Sequence, residues 1–165
     1  MKIQLLWVGR TAKSYVSEAI DEYAGRIGRY MPFETVQLAD VKNAGHLTSS
    51  EVRDREGEMI LKALRSDDMV VLLDDKGREY TSIEFASWIG GMANRSVRQL
   101  VFVIGGAYGF SRGVYDRADA LLSISRMTFS HQIVRPIFLE QLYRAMTILR
   151  GEPYHHEESL IHRRG

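Results

Sequence analysis

Apolar residues gather in five short runs, and between the runs they recur at helical spacing. The runs at 3–8, 33–38, 69–73 and 100–104, with a shorter one at 121–124, predict strands. The intervening patterns predict helices over 12–30, 48–64, 82–92, 111–118 and 131–149. Ser49-Ser50-Glu51 marks the start of the second helix, and Thr81-Ser82-x-Glu84 can cap the third, because a hydroxyl accepts from an otherwise unpaired helical N–H. Strands alternating with helices imply an α/β fold, a mostly parallel sheet with helices on both faces. The unbroken runs at 70–73 and 101–104 suit strands covered on both sides. No repeat, low-complexity stretch or linker divides the chain, so 1–165 reads as a single domain.

The last helical pattern is wider than one core requires. Ile133, Val134, Ile137, Phe138, Leu139, Leu142, Ala145, Met146, Ile148 and Leu149 cover an arc of about 200°, where a stripe a little over about 100° suffices. Either the helix is sunk within its own domain or its outer face meets a second copy; a homodimer interface is the preferred expectation. Pro136 should kink this helix or mark its true start. Glu140 and Arg144 sit at i, i+4 on its narrow polar side as a helix-stabilising pair.

Composition narrows the chemistry. With no cysteine, disulfides, thiolate metal sites and cysteine nucleophiles are excluded. The first apolar run is too short for a secretory signal, and no stretch approaches a membrane span, so a soluble cytoplasmic protein is expected. The net charge of +1, from 22 basic and 21 acidic side chains, gives no bulk signal for nucleic acid. Its distribution says more. From Arg126 onward there are six arginines, no lysine and four acids, together with four of the five histidines. That is either a solvated basic tail or a working surface of guanidinium forks and imidazoles.

Three segments could carry function. Ile104-Gly105-Gly106-Ala107-Tyr108-Gly109 follows a buried strand, at the sheet edge where ligands bind in open parallel folds. Its G-G-x-x-G spacing matches neither the dinucleotide fingerprint nor the phosphate-binding loop, and it serves equally as a tight structural turn. The 121–131 segment begins as a strand and ends in mixed hydroxyl and apolar residues. It reads as an ordinary loop, or as one that offers backbone groups to a neutral heteroaromatic ring, with Ser130 as N-cap of the last helix. The tail around Tyr154, His155 and His156 follows a Gly-then-Pro helix stop. Its adjacent histidines and glutamates cannot easily converge on one ion, so no metal is expected.

Together these segments resemble a known family. The stretches LLWVG, VLLDDKGREYTSIEFA, FVIGGAYGFS, LSISRMTFSHQIVR and LEQLYRAMTILRGEPYH are similar to the bacterial large-subunit (23S) rRNA pseudouridine N3-methyltransferases, of the SPOUT class. The resemblance implies a carboxy-terminal trefoil knot and methyl transfer from S-adenosylmethionine to N3 of a pseudouridine. It implies a cofactor held at Leu73, Gly105 and Ile124, Ser125, Arg126, Met127, Thr128 and Phe129, and a homodimer built on the last helix. It places Tyr154 and His155 in the catalytic region. Three features depart from the family pattern: Ser130 replaces a proline before His131, Pro136 replaces an apolar helix former, and His156 and residues 157–165 follow the Tyr-His pair. His156, Arg163 and Arg164 are the candidates for the basic residue that normally follows that pair.

S-adenosylmethionine is already activated, so the protein's task is chiefly orientation. Attack by N3 also needs its imide proton removed, and His155 is the expected base. Arg126, Arg135 and Arg144 are candidate phosphate contacts. Near-neutral charge points to modest affinity for free RNA and to a preformed site on the large subunit or assembled ribosome. The alternatives are a non-catalytic ribosome- or RNA-binding protein on the same fold, and a nucleotide-dependent enzyme using the Gly105 turn.

Overall fold

Five parallel strands carry the fold: β1 (Lys2–Val8), β2 (Phe33–Leu38), β3 (Met69–Glu79), β4 (Gln99–Ile104) and β5 (Ala120–Ser123) lie in the order β2-β1-β4-β3-β5. The computed structural model describes residues 1–156; the expectations for Arg163, Arg164 and the 157–165 extension lie outside them. Side-chain alternation along the strands builds two cores. Ile3, Leu5, Trp7, Leu100 and Phe102 face α1 (Ser14–Ile27), α3 (Ser82–Asn94) and α5 (Val134–Leu149). Leu6, Val8, Val70, Leu72, Val101 and Val103 face α2 (Ser49–Ala63) and α4 (Arg112–Arg117). The runs at 70–73 and 101–104 are continuous because both of their faces are covered.

Local signals account for most helix starts. Thr48 caps α2 in a capping box with Glu51, one residue before the serines, and Thr81 and Glu84 form the same box on α3. The start of α5 differs from expectation. Its N-cap is Ile133, without a side-chain cap, whereas the Ser130 hydroxyl accepts from Gln132 N at 3.1 Å and Ile133 N at 3.4 Å within a preceding turn. Pro136 falls in the first turn of α5, where a missing N–H leaves no intrahelical bond unmade. It marks the start and does not break the helix.

Much of the broad apolar arc of α5 is buried within a single chain, with Ile133 and Leu149 left exposed. The helix packs between α1 and α3, and Phe138, Leu139, Leu142, Ala145 and Met146 are all buried. The width of the arc therefore does not itself call for a second subunit, and Leu142, at 0% exposure, belongs to the chain's own core. A second difference concerns β3, which runs past Leu73. Leu73 and Arg78 both pair with Leu122 on β5, so the intervening Asp74, Asp75, Lys76 and Gly77 bulge outward. Among the described residues, no helix is long and apolar enough to cross a membrane.

Candidate functional site

The carboxyl ends of β4, β3 and β5 lie side by side, with Leu73 level with Ile104 on one flank and Leu122 on the other. The loops leaving these ends enclose a cavity of about 320 Å³, within the usual range for small-ligand sites. Leu73, Ile104, Leu122, Ile124, Met127, Phe129 and Val134 supply its apolar wall. Gly105, Gly106, Ala107 and Gly109 supply main chain, and Ser125, Thr128, Asp74, Asp75 and His131 supply polar groups.

Each loop has a local cause. Gly109 adopts φ +78° and its N–H donates to Gly106 O at 3.2 Å, closing the tight turn after β4. The two preceding glycines are required by close approach. A Cβ on Gly105 would stand 3.2–3.3 Å from the Phe110 ring, and one on Gly106 would stand 2.5 Å from the Glu56 carboxylate. In the segment after β5, Ser123 Oγ donates to Ser125 O at 2.9 Å and Ser125 Oγ accepts from Met127 N at 3.0 Å. These side-chain bonds replace a regular ladder, which explains the absence of any period there. Gln132 then bonds Ala12 N at 3.0 Å and Arg10 O at 3.1 Å, tying this segment to the loop after β1.

Arg135 completes that tie from within. It is 1% exposed, stacks 4.9 Å from the Trp7 ring, and donates to His131 O at 3.1 Å, Thr11 Oγ1 at 3.0 Å and Val8 O at 3.2 Å. Burial pulls its guanidinium down to about 10, partly opposed by Asp40. The expected phosphate contact is excluded for Arg135, because its donors are spent inside the protein. Burial and the neighbouring Arg135 charge likewise lower His131, against a weaker pull from Asp40. Burial works to raise Asp74, but the Tyr115 hydroxyl, Lys76 N–H and Asp75 outweigh it and hold the carboxyl below its usual range.

Of the residues expected at the site, Leu73, Gly105, Ile124, Ser125, Met127, Thr128 and Phe129 meet around the cavity. Arg126 does not line it and is exposed. Tyr154 and His155 lie elsewhere. Tyr154 packs edge-to-face against Tyr143 and donates to Glu140 at 3.0 Å, and burial followed by that carboxylate pushes its hydroxyl up to about 12. Arg144 pairs with Glu140 at 2.6 Å, as its spacing predicts, and also donates to His155 Nδ1 at 3.1 Å. A neutral His155 in this contact carries its proton on Nε2. Val134 at the start of α5 lines the cavity, whereas Tyr154 bonds Glu140 six residues on and His155 bonds Arg144 ten residues on, about 9 and 15 Å along the helix axis.

His131, Asp74 and Asp75 were missed as site residues by sequence reasoning. His131 sits one residue past the serine-rich segment, and the pair of aspartates directly follows a strand run; position at the sheet's carboxyl edge was the available signal. Among the described residues, the cavity lining has two aspartates and no lysine or arginine. That electrostatic character opposes a phosphate chain and favours a ligand with positive charge.

Known proteins resemble this chain along nearly its whole length. A protein described as "Ribosomal RNA large subunit methyltransferase H" from Parabacteroides distasonis is 50% identical over 157 residues, covering 95% of this chain and 100% of that protein. One of the same description from Phocaeicola vulgatus is 48% identical over the same coverage. Another from Trichlorobacter lovleyi is 47% identical over 94% of this chain and 100% of that protein. The sequence profile of the family described as "Predicted SPOUT methyltransferase" matches residues 1–155. The chain belongs to the SPOUT methyltransferase family.

Proposed function

We propose that the protein transfers a methyl group from S-adenosylmethionine to N3 of a pseudouridine in large-subunit ribosomal RNA, as a cytoplasmic homodimer with a carboxy-terminal knot. The observation that carries this reading is the cavity at the ends of β3, β4 and β5, apolar and glycine-lined, with two aspartates and, among the described residues, no lysine or arginine. S-adenosylmethionine supplies an electrophilic methyl on a sulfonium, so no metal or covalent nucleophile is needed. Ile104, Ile124 and Phe129 offer apolar faces suited to an adenine ring, and Asp74 and Asp75 suit a cationic methionyl end. The Gly105-Gly106 turn allows main chain to approach the ligand closely.

Two imidazoles can meet the imide proton. His131 lines the cavity in the same chain, and its lowered pKa keeps it neutral, as a base must be. His155 is held on the outer stripe of α5 by Arg144, well away from its own cavity. Two copies meeting with their α5 helices antiparallel bring this tail toward the partner's cavity. That arrangement gives Tyr154 and His155 a place in the reaction as substrate-facing groups. Tyr154 there acts as a hydrogen-bond donor, because its raised pKa keeps it protonated. Two aspartates with no lysine or arginine among the described lining residues support a cationic cofactor over the nucleotide-dependent alternative. The non-catalytic alternative is separated from it by turnover.

The decisive experiment incubates the protein with methyl-labelled S-adenosylmethionine and large subunits or assembled ribosomes from cells lacking the modification. Digested rRNA is then read by mass spectrometry. A single N3-methylated pseudouridine is expected. Binding of the subunit without label transfer would establish the non-catalytic alternative.

A further inference from the structure

A second cleft, of about 440 Å³, opens where the carboxyl ends of α1 and α5 meet, lined by Arg26, Arg29, Tyr30, Tyr143, Arg150 and Glu152. It faces the end of the sheet opposite the cofactor cavity, since both helices run back against the parallel strands. Three guanidiniums against one carboxylate make it strongly basic for a chain whose net charge is only +1.

Two of the three arginines lie against aromatic rings. The Arg26 guanidinium lies 5.3 Å from the Tyr143 ring and 5.5 Å from Tyr23, and Arg150 lies 5.1 Å from Tyr30. Tyr30 is itself pinned, its hydroxyl donating to Glu152 at 2.6 Å. Arg26 shares charge with Glu22 at 3.2 Å. Among the described residues, Arg29 and Arg150 form no ion pair and both are exposed. A guanidinium stacked on a ring keeps its N–H edges turned outward, the geometry that grips a phosphate by two bonds. Tyrosine faces beside such cations are the usual stacking surface for unpaired bases.

We propose that this cleft is a docking surface for the sugar–phosphate backbone of the substrate rRNA, distinct from the methyl-transfer cavity. It rests on the rRNA reading above and adds a second point of grip. Folded rRNA then spans from the cleft to a catalytic cavity, and local charge compensates for a nearly neutral chain.

The test is Arg29→Glu with Arg150→Glu in the full-length protein, with Arg29→Gln and Arg150→Gln as milder variants. Binding to purified large subunits and to deproteinised large-subunit rRNA is followed across a salt series. Thermal midpoint and S-adenosylmethionine affinity are measured alongside and are expected to be unchanged. Losing two phosphate contacts should weaken binding by roughly tenfold and reduce the slope of log affinity against log salt by about two. Equal affinity and slope in wild type and charge-reversal variants would overturn the proposal. Wild type that binds rRNA through Arg29 and Arg150 without methylating it upholds the cleft and sinks the catalytic reading. Wild type that binds neither probe overturns both.

Discussion

Arg135 joins three acceptors on two segments, so its value lies in what it holds together. Without it, His131 O and Val8 O remain buried with no donor, each costing about 1–3 kcal/mol. Arg135→Met is therefore expected to lower the urea midpoint and weaken cofactor binding together; an unchanged midpoint contradicts this account. His131, one turn earlier, allows a pH test. A neutral imidazole is the active form, and its pKa is shifted below 6.5, so the acid limb of the methyl-transfer rate should fall below that value. His131→Asn should abolish the limb, whereas His155→Ala should lower the rate and leave the limb in place. If His155→Ala removes it instead, the tail supplies the base. Stability carries the same sign. A lowered folded pKa means that the unfolded chain binds more protons, so stability is lost as pH falls from 6.5 through the folded value.

At the scale of elements, the turn after β4 and the bulge of β3 decide the shape of the cavity. Gly105→Val drives a branched side chain at the Phe110 ring, which is itself a cavity wall. Its expected outcome is a folded protein that no longer binds S-adenosylmethionine by calorimetry; normal affinity would show that the turn does not form the site. Thr81→Ala serves as a contrast. It removes the α3 cap and should cost about 1 kcal/mol in chemical denaturation while cofactor affinity holds. The strand runs and the Thr81 box were legible because they are local: a period, a hydroxyl and a carboxylate three residues on. The bulge was not legible. The charged Asp74, Asp75 and Lys76 look like the start of a loop, and β3 resumes only because β5 is there to pair with Arg78 and Glu79.

For the whole molecule, assembly decides whether the tail, bonded to Glu140 and Arg144 on α5, serves its own cavity or a partner's. Ile137 is half-buried, belongs to neither core cluster, and lies with Ile133 on the outer stripe of α5. Ile137→Glu should yield a folded monomer by sedimentation, with methyl transfer lost. Leu142→Glu is no test of assembly, because that side chain is fully buried in its own subunit and its substitution unfolds the chain. Mixing His155→Ala with Gly105→Val subunits probes the shared site: if one copy's tail serves the other's cavity, mixed dimers turn over faster than either variant alone. No recovery on mixing would confine the tail to its own chain.

Sequence by itself determined the strand runs, the helices and the two-sided burial of the sheet, whereas the cavity loops came from the family resemblance, without His131, Asp74 and Asp75. The first three depend on neighbours in the chain or on periodicity, and residue types report both directly. Tertiary structure alone decided that Arg135 is a buried tie, that α5 is enclosed by α1 and α3, and that His131 faces the cavity while His155 does not. Those outcomes depend on which distant segments meet. An arginine or an apolar arc reads the same along the chain whether its partner is solvent, its own core or another molecule.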